Sequence, residues 1–249
     1  MILSEHEKAA ILAELAPTGK LRFALNHGNA VLVNPGSTAH APSGVSVDLA
    51  EAFAAALGVA GEFVHYSKAG DVSDSVAAND WDVCFLAIDP LRAQDIAFTE
   101  PYVAIDGNFM VPAASPVREA PDIERLGLTV GVTRGSAYSL CLLRESRRAT
   151  IKQYDSAAQV TAGLVARDID AMGGVRQAMQ AVAAANTGCR IVEPPFMSIL
   201  QAVGTRTGRP LAQSFADSFV REMKASGFVK EALERHGSGN LRVPASAGV

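Results

Sequence analysis

Residues 82–102 read DVCFLAIDPLRAQDIAFTEPY, and this stretch decides the fold. Its first part, residues 83–86, is a short apolar run and predicts a strand. Upstream, strands are predicted at residues 21–25 and 62–65, and the helix between them is predicted to begin with Ser46 as its N-cap. The first hundred residues therefore alternate strand and helix, which is typical of a mostly parallel α/β sheet.

A second α/β series follows a proline-rich break that ends at Pro121. It starts with a strand at residues 128–132 and continues to about residue 192, where Pro194-Pro195 is predicted to break the chain again. An apolar strand at residues 199–203 and two amphipathic helices follow, and the tail from Gly237 is predicted to be frayed. Two series followed by a late return segment predict two lobes, and the chain would pass from one lobe to the other twice.

Composition excludes several classes of protein. The chain has 249 residues, of which 49% are hydrophobic and 19% charged, so it is globular rather than disordered. Its net charge is −4 without a block of basic residues, and we expect no nucleic-acid partner. No apolar run reaches the length of a membrane span, so no stable membrane insertion is expected.

Motifs for metals, cofactors and nucleophilic catalysis are missing from the sequence. The three cysteines, Cys84, Cys141 and Cys189, are far apart and predict neither a disulfide framework nor a zinc site. No phosphate-binding glycine loop, dinucleotide fingerprint or serine-hydrolase elbow occurs. The acidic residues among the first fourteen do not read as a secretory signal, which leaves a trimmed signal or a cytosolic protein as the alternatives.

Four motifs in a constant order carry a resemblance to a known family. The chain resembles the amino-acid-type (family 3) substrate-binding proteins of ABC importers, which have the type II periplasmic-binding-protein fold. The similarity extends from about Gly19 to His236. Its motifs are residues 44–49 (GVSVDL), 82–102, 130–136 (VGVTRGS) and 166–171 (ARDIDA).

This resemblance implies an α/β protein with two Rossmann-like lobes joined by a two-strand hinge. Lobe 1 would comprise residues 1–105 and 197–249, lobe 2 would comprise residues 106–196, and the hinge strands would be 104–108 and 193–198. A small polar metabolite would bind in the cleft between the lobes, which would close by a hinge motion. The resemblance also implies a monomer, a periplasmic location and an importer permease as partner.

The resemblance places Arg92 of lobe 1 on the carboxylate of the ligand. A planar guanidinium suits that role because it donates paired, charge-assisted hydrogen bonds. His27 and Asn29 follow the first strand, on a loop that faces the cleft in this family. The alternative interpretations are a surface arginine and ordinary turn residues.

In lobe 2, Arg134 and Ser136 precede a predicted helix. Backbone N–H groups at that helix start, together with the Ser136 hydroxyl, would hold an anionic group. An ordinary N-cap serine is the alternative, and both roles are compatible.

Departures from the family pattern bear on the ligand, and one is that the spacing from Asp82 to Arg92 is shorter than in many relatives, which reshapes the pocket. Asp89 stands where the family has serine or threonine, three residues before Arg92, and its charge would repel a carboxylate unless it binds a cationic group or pairs with Arg92. Val175 occupies the position of the usual ammonium-binding aspartate, next to Arg176. The loop at residues 30–32 lacks the usual capping aromatic. These departures favour a small organic acid or an unusual zwitterion over a standard α-amino acid, with Arg92 and Arg176 as the cations that bind it and Asp89 as the anion.

Two other functions share this fold. Cyclohexadienyl dehydratases resemble it, and Asp89 or His27 would then be the acid or base, although no partner carboxylate stands near Val175. A standalone ligand-sensing domain is the other alternative. We therefore predict a solute-binding protein without catalytic residues, metal or cofactor.

Overall fold

The computed structural model describes residues 3–16, 19–34, 36, 42–185 and 188–246. It divides the chain into two compact units. Unit 1 comprises Met1–Ala104 and Leu200–Val249, and unit 2 comprises Ile105–Ile199. The sequence places the corresponding lobe boundaries after residues 105 and 196.

The order of elements alternates strands and helices as the sequence predicts. In chain order, the elements are α1 (Glu5–Leu15), β1 (Leu21–Asn26), α2 (Val45–Leu57), β2 (Gly61–Tyr66), α3 (Ala69–Asp74), β3 (Val83–Ala87), β4 (Ile96–Phe98), β5 (Val103–Pro112), α4 (Pro121–Leu126), β6 (Thr129–Thr133), α5 (Ala137–Glu145), β7 (Thr150–Tyr154), α6 (Ala157–Val165), β8 (Ala171–Val175), α7 (Arg176–Ala185), β9 (Cys189–Arg206), α8 (Pro210–Ala225) and α9 (Phe228–Arg235).

Unit 1 is built on strands in the order β2-β1-β3-β9, with β4 paired to β9. The pairs β1–β2 and β1–β3 are parallel, and β9 is antiparallel to both β3 and β4. Its core contains the ring contacts of Phe53 with Phe23, Phe215 and Phe219, which pack α2 against β1 and α8. Because β1, β2 and β3 are parallel, their carboxyl ends lie at the same edge of the sheet.

The start of α2 differs from the prediction. Gly44, and not Ser46, is the N-cap, and the helix begins at Val45. Gly44 has φ 125°, and a Cβ at this position would lie 2.3 Å from the carbonyl oxygen of Leu32, so only glycine fits this turn. Ser46 therefore lies inside the helix, where its hydroxyl is 3.1 Å from the buried Tyr102 hydroxyl.

Unit 2 has the strand order β9-β5-β8-β6-β7. Strand β6 is parallel to β7 and β8, whereas β5 is antiparallel to β8. One core cluster contains Phe109, Val130 and Leu142, and a second contains Met110, Val160 and Met172. Neighbouring residues of β5 thus face different clusters, as the alternation of side chains along a strand requires.

The segment around Pro194-Pro195 is continuous strand and not a break. Strand β9 extends through 18 residues from Cys189 to Arg206, and the Glu193–Pro194 peptide bond is cis. Within unit 2, β9 is an edge strand, where a proline without an N–H group is tolerated. Together with β5, it supplies the two chain segments that pass from one unit to the other.

The tail after Gly237 is ordered as far as Ser246, so the predicted fraying is wrong for this part. The Ser238 hydroxyl donates to the Val31 carbonyl at 3.1 Å, and the Arg242 carbonyl accepts from the Ala104 N–H at 2.9 Å. Residues 247–249 lie outside the described residues. Backbone pairing thus orders a segment whose composition alone suggests a loose end.

Asp122 at the start of α4 provides a test of stability against pH. Its carboxylate accepts from the Arg118 N–H at 2.7 Å and from Arg125 Nη2 at 2.6 Å, and these bonds lower its pKa to about 2. A depressed pKa contributes stability above the unfolded-state pKa of about 3.9, and this contribution is lost as the pH falls towards 2. We therefore expect Asp122→Asn to be less stable than wild type at pH 5, with a gap that narrows towards pH 2.

Urea unfolding followed by circular dichroism at pH 5, 3 and 2 measures this gap. Glu145→Gln, an exposed change in the same unit, is the matched control. A gap that stays constant across these pH values would show that Asp122 does not stabilise unit 2 through its ionised form.

Candidate functional site

Four of the predicted ligand-binding residues belong to unit 1 and follow the carboxyl ends of parallel strands. His27 and Asn29 come after β1, and Asp89 and Arg92 come after β3, which is paired with β1. In α/β sheets, ligands bind outside the carboxyl ends of the strands. The topology therefore puts these two loops at the edge of the sheet where ligand groups are expected.

Arg92 is largely buried, with 4% of its surface exposed. Its Nη1 donates to the Ala87 carbonyl at 3.0 Å, so the last residue of β3 positions the guanidinium. Burial lowers the pKa of Arg92, and the nearby charge of Asp89 opposes this shift. The side chain stays a cation, because the ordinary pKa of arginine lies far above neutrality.

Asp89 is buried beside this cation, with 3% of its surface exposed. Its Oδ1 accepts from the Leu91 N–H at 2.9 Å, which closes the turn that leads to Arg92. The structure thus brings the predicted cation and the predicted anion together in one loop. A buried group of two opposite charges can recognise a ligand that carries both charges, and its fixed geometry discriminates against neutral compounds.

His27 forms a pair with His65, a residue that sequence reasoning missed. Their facing ring nitrogens, Nε2 of His27 and Nδ1 of His65, are 2.8 Å apart, and the rings are stacked with centroids 5.0 Å apart. Burial, and then the neighbouring His65, lowers the pKa of His27. A signal for His65 existed, because a second histidine stands one residue before the end of β2, but it required the strand register Leu25↔His65.

Two buried polar atoms in this loop lack a hydrogen bond to any described residue. They are Nδ1 of His27 and Oδ1 of Asn29. Buried polar atoms are nearly always paired, with protein, water or ligand. These two atoms are therefore candidates for ligand or water contacts in unit 1.

In unit 2, Ser136 is the N-cap of α5, as one of its two predicted roles requires. Its hydroxyl accepts from the Ser139 N–H at 3.1 Å. Arg134 is directed to another partner, because its Nε lies 3.2 Å from the Asp155 carboxylate and its side chain is half exposed. A ligand contact by Arg134 would compete with this exposed pair, which is weak.

Arg176 forms an ion pair with Glu193, the second residue that sequence reasoning missed. The two side chains are partly exposed, at 33% and 47%. The other carboxylate oxygen of Glu193 accepts from Nδ2 of Asn108 at 3.2 Å. Val175 offers no carboxylate at the end of β8, but Glu193 of β9 supplies one beside the neighbouring Arg176.

Asn108, which donates to Glu193 of this pair, is fully buried. Its Nδ2 also donates to the Val192 carbonyl at 2.9 Å, whereas its Oδ1 has no hydrogen-bond partner among the described residues. A hydrogen bond from a buried amide restricts the orientation of the carboxylate that accepts it. The arrangement therefore presents one carboxylate and one guanidinium of unit 2 in fixed positions.

The described ranges of the chain contain neither a cluster of metal ligands nor a helix that could span a membrane. Within them, no group of three or more His, Cys, Asp or Glu side chains lies close enough to hold a metal ion. None of the described helices is both long enough and apolar enough to cross a membrane.

Comparison with protein families gives a match over most of the chain. Residues 33–239 match the bacterial extracellular solute-binding proteins, family 3. A curated relative, the membrane-bound lytic murein transglycosylase F of Maricaulis maris, is 35% identical over 102 residues, which are 39% of this chain. That match spans only 22% of the relative's length.

Solved structures share the fold at low sequence identity. An ArgBP mutant from T. maritima has a TM-score of 0.74 at 23% identity and covers 92% of this chain and 99% of its own. The cysteine-binding protein from Campylobacter jejuni has a TM-score of 0.76 at 16% identity and covers 95% of this chain and 96% of its own. These likenesses confirm the predicted type II periplasmic-binding-protein fold.

Proposed function

Because this chain belongs to the bacterial extracellular solute-binding proteins, family 3, we propose that it captures a small polar, carboxylate-bearing metabolite for an ABC importer. The observation that carries this proposal is the buried pair of Asp89 and Arg92 on the loop after β3. A charged pair held in the interior is costly unless its charges are used or well paired. The proposal includes a location outside the cytoplasmic membrane and a permease as partner.

Arg92 is the group that we assign to the carboxylate of the metabolite. Its Nη1 is held by the Ala87 carbonyl at 3.0 Å, so the guanidinium is oriented before the ligand arrives. Preorganisation of this kind reduces the entropy that binding costs. His27 and Asn29, on the neighbouring loop, are assigned to polar groups of the same ligand.

Asp89 favours a ligand that also carries a cationic group. A purely anionic metabolite bound to Arg92 would lie close to the negative charge of Asp89, and like charges repel. In unit 2, we assign Ser136, Arg134, Arg176 and Glu193 as ligand contacts. Glu193 would take over the role of the missing aspartate at Val175, but from β9 and not from the end of β8. Because the carboxylate then has a different position, we infer a small zwitterion whose charges are not spaced as in a standard α-amino acid.

Denaturing the purified protein and identifying the released small molecules by mass spectrometry is the first test. The compounds found, and a panel of organic acids, amino acids and amines, are then assayed by thermal shift. A true ligand at about 100 times its Kd adds roughly 2.7 kcal/mol to stability, which raises the Tm of a chain of this size by roughly 5–10 °C.

The outcome separates binding from catalysis. A large shift with one compound that is recovered unaltered supports a binding protein. Consumption of that compound would instead support an enzyme with Asp89 or His27 as its acid or base. If no compound shifts the Tm, or if pull-downs recover a signalling protein and no permease, the importer role is refuted.

A further inference from the structure

Unit 2 contains a cavity of about 550 Å³ that the proposed function does not use. Its apolar lining includes Phe109, Phe196, Ile123 and Leu142. The rings of Phe109 and Phe196 stack at a centroid distance of 4.2 Å and an angle of 17°, so each ring covers one face of the other. This volume and lining fall within the usual range for small-molecule sites.

The cavity lies at the other end of α5 from Ser136, one of the ligand-binding residues assigned in unit 2. Ser136 caps the amino end of α5, whereas the cavity is lined by Leu142, Glu145 and Ser146 at the other end of that helix. Nine helical residues separate the two ends by about 13 Å, at 1.5 Å per residue. A ligand in the cavity would therefore contact different side chains from those near Ser136.

The charged residues that line the cavity are all acidic, and the Arg147 guanidinium lies beside the lining, where it donates to the Ser146 carbonyl. Glu119, Glu124 and Glu145 line it, and its lining includes no Lys, Arg or His among the described residues. Glu124 stays ionised, because its Oε2 accepts backbone N–H bonds, first of all from Arg148 at 2.8 Å, and these bonds lower its pKa. The Arg144 guanidinium lies 3.4 Å from Glu145, and because such an exposed pair is weak, an ammonium ion can compete with Arg144 for this carboxylate.

We propose that this cavity is a second binding site, for a small organic cation that consists of a primary amine on a flat apolar body. The apolar body would pack on the free face of the stack of Phe109 and Phe196, and this π face also attracts a cation. The ammonium would be attracted by the carboxylates of the three Glu residues that line the cavity. A neutral or anionic compound of the same shape lacks this attraction.

Three compounds of one shape test the role of charge. Phenethylamine, 2-phenylethanol and 3-phenylpropionate are titrated by calorimetry into the full-length protein. Phenethylamine is expected to bind at least ten times more tightly than the alcohol, and the acid is expected not to bind. In the double variant Glu119→Gln/Glu145→Gln, binding of the amine weakens about fivefold, as expected for two rim charges. Equal affinity for amine and alcohol, or no saturable binding, overturns the proposal.

Location is tested by filling the cavity. Ala120 lines it, and Ala120→Phe is expected to abolish binding of phenethylamine, whereas Ala114→Phe, at an exposed position of the same unit, leaves it unchanged. Methyl NMR of wild type provides a readout without substitution, since Ile123 and Leu142 signals should shift during the titration. Unshifted methyl signals, or loss of binding in Asp89→Asn of unit 1, would place the amine elsewhere and refute the cavity site.

Discussion

Replacing Asp82 with alanine is expected to lower the free energy of unfolding by about 3–5 kcal/mol. Its carboxylate is fully buried and accepts from Nε and Nη2 of Arg22, both at 2.9 Å, and from the Arg22 N–H at 3.0 Å. The Arg209 guanidinium lies 3.8 Å away. Without Asp82, a partly buried Arg22 guanidinium and a backbone N–H lose their acceptor, which costs far more than an exposed pair would.

Urea unfolding followed by the fluorescence of Trp81, the single tryptophan, measures this loss next to the substitution. Asp95→Asn is the matched control, because Asp95 is an exposed aspartate of the same unit, and a change within about 0.5 kcal/mol is expected. A loss below about 1 kcal/mol for Asp82→Ala would mean that the pair with Arg22 does not anchor β1 to β3.

The conservative change Arg92→Lys is expected to weaken ligand binding by about 100-fold, which corresponds to about 3 kcal/mol. Lysine keeps the positive charge beside Asp89, but it cannot donate to the Ala87 carbonyl and fork onto a carboxylate at the same time. The loss therefore reports the geometry of the guanidinium and not only its charge.

Calorimetry with the compound released from the purified protein measures this effect. Arg221→Lys, an exposed arginine of α8 in the same unit, should bind that compound like wild type. Thermal unfolding of both variants checks that each remains folded at the temperature of the titration. Binding by Arg92→Lys within threefold of wild type would show that Arg92 does not bind the ligand.

The predicted elements agree with the structure where the signal is local. The alternation of strand and helix in both series follows from hydrophobic runs and their spacing, and the N-cap role of Ser136 follows from the helix start behind it. The prediction for Ser46 was wrong, because Gly44 starts the helix two residues earlier with a backbone angle that depends on a close approach to Leu32.

Errors at Pro194-Pro195 and in the tail have a common cause. Proline, glycine and serine predict breaks and loose ends because they disfavour regular structure locally. Pairing decides otherwise when a segment lies beside another strand, as the tail does where Ala104 donates to Arg242. Such pairing is invisible in composition.

Local sequence patterns predicted the class of fold, the order of its elements and one charged loop, Asp89 to Arg92, since each depends on neighbours within a few residues. Which side chains meet depends instead on how distant segments pack. His27 meets His65 across 38 residues, and Arg176 meets Glu193 across 17. Those contacts depend on the register and order of strands, which local periodicity does not encode. The carboxylate that is missing at Val175 of β8 is supplied by Glu193 of β9, and this contact too depends on the order of the strands.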